Sequence, residues 1–151
     1  MTELGLRGEA REVVLAEVQA VRAHAQDDGM KERLADLVAS VDDAEIPDAS
    51  AELLESILEL GLQTGRIRAY YGPGGEQAAL STLRRLPRGR QRGESAGDVT
   101  RALETLAGAT LDDVRIVAVA PGAFTLSIRA GGVEANVRLD PAGVRLTSLG
   151  T

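Results

Sequence analysis

The chain has 151 residues, enough for one domain or two small ones, and its 44% hydrophobic and 26% charged content reads as globular. It has no cysteine, which excludes disulfides, thiolate metal sites, iron–sulfur ligation and cysteine nucleophiles, and only Tyr70, Tyr71 and Phe124 offer rings for stacking on bases, sugars or flavins. The net charge of −6 is uneven: residues 1–65 carry 15 acids against 5 bases, residues 66–93 carry 7 arginines against Glu76 alone, and residues 94–151 carry 7 acids against 5 bases.

The opening MTELGLRGEAREVV has acids and no apolar stretch of the kind a secretory signal needs, and no window holds 18 continuous apolar residues. A cytoplasmic protein is expected. From residue 8 to about 26, Val14, Val18, Val21 and Ala25 recur at helical spacing. Asp27-Asp28-Gly29 ends that helix. A second follows, with Met30, Leu34, Leu37, Val38 and Val41 on one face and Lys31, Glu32, Arg33 and Asp36 on the other.

Pro47 disfavours helix at Ile46, and Asp48 or Ser50 is expected to cap a third helix over about 50–64. Leu53, Leu54, Ile57, Leu58, Leu60 and Leu62 cover most of its circumference. Such a surface needs burial on more than one side: either this is the central helix of the N-terminal half, or it forms an interface between copies with Ile57 and Leu58 as candidates. Arg66 to Tyr71 fits a short strand or the last turns of this helix. Gly72-Pro73-Gly74-Gly75 predicts a turn, and Glu76 to Leu86 a fourth helix. Pro87 to Gly93 is polar and aperiodic and reads as an exposed linker that trypsin should nick early.

Ser95 or Asp98 is expected to open a fifth helix, with Val99, Ala102, Leu103 and Leu106 inward. Turn signals at 120–123, 130–132 and 140–143 then separate four strands, about 113–119, 124–130, 133–139 and 144–149. A Gly131-Gly132 loop sets the register of the middle hairpin. It places Ile128, Leu126 and Phe124 opposite Ala135, Val137 and Leu139. On the other face Arg129, Ser127 and Thr125 meet Glu134, Asn136 and Arg138. That polar face, with Arg145 and Thr147, reads as the solvated side of a half-buried sheet. The first strand is apolar on both faces although the connectivity leaves it at an edge, so it needs cover, either from the N-terminal helices or from a second copy with Val117 and Val119 as interface candidates.

Catalytic and binding motifs are absent or weak. GPGG before a helix lacks GxxxxGK[ST], and Gln77 stands where GxGxxG needs its third glycine, so a tight turn outweighs a phosphate loop. His24 has no second histidine and no nucleophile in a recognisable motif. The acid pairs 27–28, 42–43 and 112–113 sit at element ends, where charges solvate turns. Arg84, Arg85, Arg88, Arg90 and Arg92 are the one basic cluster that would suit phosphate contacts.

The expectation is therefore an α+β protein. A helical region of about four helices (1–86) leads through an Arg/Gly-rich linker (87–93) to a helix and a four-stranded antiparallel β-meander (94–151). Its expected role is a non-enzymatic protein–protein interaction or assembly/adaptor protein that self-associates, with no cofactor, no metal and no membrane partner. The alternatives are a nucleic-acid-associated module using the arginines and, behind that, a small-molecule site between helices and sheet.

Overall fold

The computed structural model describes all residues, 1–151, and the chain divides into two units, Met1–Arg90 and Gln91–Thr151. The first begins with β1 (Thr2–Glu3), α1 (Gly8–His24) and α2 (Asp28–Ser40). It continues with β2 (Glu45–Ile46), which pairs antiparallel with β1, then α3 (Asp48–Gln63) and α4 (Arg66–Arg85). Helix α5 (Pro87–Leu103) starts in the first unit and ends in the second. A 3₁₀ turn (Glu104–Leu106) then leads to β3 (Leu111–Ala120), β4 (Ala123–Ala130), β5 (Val133–Asp140) and β6 (Gly143–Gly150). These four strands form one antiparallel sheet in the order β3-β4-β5-β6, so the α+β architecture of helices followed by a helix and a meander is as the periodicity indicates.

One core holds the helical unit together. Val14 and Val18 of α1, Leu34 and Leu37 of α2, Leu54 and Leu58 of α3, and Ile67 and Ala79 of α4 are buried in it with Leu4, Leu6 and Ile46. The apolar coverage of α3 is absorbed here, since α1, α2 and α4 all pack against it. Ile57 and Leu58 are interior residues, not an outward surface, and of the apolar side chains of this helix only Leu60 remains strongly exposed. Gly61 permits a close approach of α3 to α4: a Cβ there would stand 2.7 Å from Ile67 Cδ1.

Four local expectations change. Helix α2 is capped by Asp27, whose carboxylate accepts from Met30 N at 2.7 Å, but α3 has no side-chain cap. Pro47 occupies its N-cap position, and Asp48 instead accepts from the Thr2 hydroxyl and pairs with the chain's own amino group. Arg66 to Tyr71 is helical, and of GPGG only Gly72 leaves the helical region, at φ 72 and ψ −174. Pro73 starts the next helical run, where its fixed φ and missing N–H cost nothing. The largest change is at Pro87 to Gly93, which is helix, so α5 starts eight residues before Ser95. The reason is Glu55, buried on α3. Its Oε1 accepts from Arg88 N at 2.6 Å and Gly89 N at 3.2 Å, and its Oε2 accepts from Arg88 Nε at 3.1 Å. That carboxylate satisfies amides which would otherwise be orphaned at a helix start.

In the sheet unit the middle hairpin has the expected register, from Ala130 opposite Val133 to Phe124 opposite Leu139. Both loop glycines have positive φ, 57 and 78, as the hairpin turn requires. The polar face is stitched by a row of side chains. Ser127 donates to Asn136 at 2.6 Å, and Asn136 donates to Ser148 at 2.8 Å. Ser148 rather than Thr147 holds the β6 end of this row, because a bulge opposite Asn136/Val137 makes Thr147 the extra residue. Leu103 and Leu106 cover the apolar face around Ala130, Val133, Ala135, Ile128 and Leu146.

Candidate functional site

β3 is an edge strand, and its free side carries the main surplus of apolar surface in the protein. Pairing with β4 fixes where its side chains point. Val114, Ile116 and Ala118 share the apolar face with Ile128, Leu126 and Phe124, whereas Arg115 and Val117 share the polar face with Ser127 and Thr125. The cover from Leu103 and Leu106 does not include Val114, Ile116 or Phe124. As a result Ile116 is 62% exposed and Leu111 59%, with Val114, Val117 and Val119 close to half exposed. Bulges interrupt the ladder between Leu111 and Asp113 and between Ala118 and Ala120, leaving Asp113 to Ala118 as a regular segment.

The charges on this strand are arranged in a pair. Asp113 Oδ2 accepts from Arg115 Nη2 at 2.6 Å and from Nε at 3.1 Å. The Arg115 guanidinium, bonded and opposite in charge, holds the Asp113 carboxyl below the usual carboxylate range. Next to it Arg129 faces Glu134 across the hairpin at 3.5 Å, and these side chains with Ser127 and Ile128 line a shallow depression of about 270 Å³. The result is a locally neutral polar face beside an uncovered apolar one.

The other candidate residues are not gathered into one surface. Ile57 and Leu58 lie in the helical core. Arg84 and Arg85 end α4, while Arg88, Arg90 and Arg92 lie on the first two turns of α5. Arg88 is spent on Glu55, with Ser56 at 3.2 Å and Glu59 at 3.7 Å, and Arg92 is engaged as well. His24 is an exposed helix residue whose Nδ1 lies 2.9 Å from the Ala20 carbonyl oxygen. With Ala20, Val21, Ala25, Met30, Leu53 and Arg66 it borders an open depression of about 420 Å³ in the helical unit. Arg66 there is held 3.3 Å from the buried Glu17 carboxylate, which also accepts from Tyr71 Oη at 2.9 Å. No group of three or more His, Asp or Glu residues is placed to hold a metal ion, and no helix is long and apolar enough to cross a membrane.

No family model, curated protein or solved structure matches the chain. On β3, Val117 and Val119 were legible, since apolar residues on both faces of an edge are visible in the sequence. The exposure of Val114, Ile116 and Phe124 was not, because nothing in the sequence shows that the cover from Leu103 and Leu106 stops short of them. Glu17 and Glu55 left no sequence signal, since nothing in a run of helix-surface acids marks the two that turn inward.

Proposed function

We propose that the protein is a cytoplasmic, non-enzymatic assembly protein that self-associates and works by lending the free edge of its sheet to another chain. The observation that carries this reading is β3, ten residues long with five large apolar side chains about half exposed or more. Natural edge strands are shortened, charged or covered to prevent pairing, and the middle of this one has a single arginine already neutralised by its neighbour. Main-chain pairing with an added strand supplies affinity through hydrogen bonds, and the apolar side chains on both faces add burial.

Light scattering tests the reading. The wild type is expected at twice the chain mass of 15.8 kDa, and Val117→Lys is expected to shift the population towards the single-chain mass. A wild type that stays at the single-chain mass at high concentration overturns self-association.

A further inference from the structure

We infer that the partner of β3 is β3 of a second copy, paired antiparallel about a two-fold axis through Ile116. This rests on the assembly reading above and specifies its register. Three observations carry it. No other strand of the chain is suited to β3: β1 and β2 have two residues each and pair with one another, β4 and β5 are internal, and β6 has a bulge in its middle. A β3-to-β6 chain of copies is therefore disfavoured against a closed pair of β3 strands, whose bulges lie only at the ends of the regular segment. The sheet unit is also close to neutral, with 6 arginines against 7 acids over Gln91–Thr151, so two copies meet without strong repulsion.

The register follows from the side chains. In antiparallel pairing, opposite residues lie on the same face, so the axis must pass through a residue rather than between two. Within Asp113 to Ala118 the two central choices are Arg115 and Ile116. An axis through Arg115 sets two guanidinium groups directly opposite each other, which is unfavourable. An axis through Ile116 opposes Ile116 with its own copy and Val114 with Ala118 of the second copy, all apolar and on the uncovered face. On the polar face it opposes Arg115 with Val117 of the second copy, which keeps the Asp113–Arg115 pair on each strand intact.

Substitutions at Val117 read this register by charge. In the Ile116-centred dimer residue 117 faces Arg115, so Val117→Lys should weaken dimerisation about tenfold or more relative to Val117→Glu, two such pairs contributing per dimer. In the Arg115-centred dimer residue 117 faces Asp113, and the order is reversed; that result overturns the register while leaving self-association standing. The cysteine-free chain permits a second reading. Directly opposite Cα atoms are about 4.5–5.5 Å apart, within disulfide reach, and residues offset by two positions are not. Under mild oxidation Ile116→Cys should cross-link as a covalent dimer, and Arg115→Cys and Val117→Cys should not. Strongest cross-linking at either of those two positions, or none at Ile116→Cys in a protein with dimer mass, overturns the inference. A wild type that is monomeric throughout overturns the assembly reading and the register with it.

Discussion

Glu17 and Tyr71 are separated by 54 positions and joined by one hydrogen bond, with Arg66 closing the group. The Glu17 side chain is fully buried, and the bond to Oε1 and the nearby arginine offset part of the cost of keeping it inside, while Oε2 has no hydrogen-bond partner. Burial, then the bond to Glu17 and its negative charge, push the Tyr71 phenol up to about 12. The sign of the consequence is fixed. In the unfolded chain the phenol ionises near its ordinary value, about 10, while in the fold it stays protonated. The stabilisation is complete below about pH 10 and is lost as the pH rises towards 12. Tyr71→Phe should remove this alkaline loss and lower stability near neutrality by roughly 1–3 kcal/mol, the cost of a buried acceptor left short of a partner. Urea midpoints measured from pH 7 to 11 check both; an unchanged alkaline slope would mean that Tyr71 is not the titrating group.

Among the elements, α3 and α4 meet closely at Gly61. Gly61 faces Ile67 Cδ1 and Cγ1 and the Glu17 carboxylate, and an added Cβ would come within 2.7, 2.8 and 3.2 Å of them. Gly61→Ala gains helix propensity of about 1 kcal/mol but overpacks a buried seam, which costs typically 1–3 kcal/mol. The expected net result is a lower urea midpoint, and a raised midpoint would show that Ile67 can move aside. How much was legible in the sequence differs from element to element. The β4–β5 hairpin was readable residue by residue, because a two-residue glycine loop and a period of two fix the register locally. Helix α3 was readable as a helix that needs burial on more than one side, but the choice between a central place in the helical unit and an interface between copies was not, since three packing neighbours are a tertiary fact. The start of α5 is hidden in the sequence for the same reason: Gly89 and Gly93 weaken helix preference and no apolar periodicity runs through 87–93, although Arg and Gln themselves favour helix. What holds this stretch helical is a carboxylate 33 positions earlier.

At the scale of the molecule α5 is the one element that belongs to both units, and Glu55 fastens its first turn. Proteases need locally opened chain, so the arginines at 88, 90 and 92 should resist trypsin in the native protein although the sequence alone points to early cutting there. Glu55→Ala removes the acceptor for Arg88 N and Gly89 N and should fray this turn. Early cleavage within residues 88–92 is then expected, at least several-fold faster than in the wild type, with the sheet unit left as a discrete fragment. Equal rates in the two proteins would show that the turn holds without its carboxylate.

Both tyrosines lie on α4, the chain has no tryptophan, and Phe124 is the sole ring of the sheet unit. Intrinsic fluorescence of this protein is therefore a signal from Met1–Arg90 alone. An unfolding curve followed by tyrosine emission is blind to the sheet, whereas circular dichroism responds to both units. Without any label, the gap between the two curves reports whether helices and sheet unfold as one cooperative system.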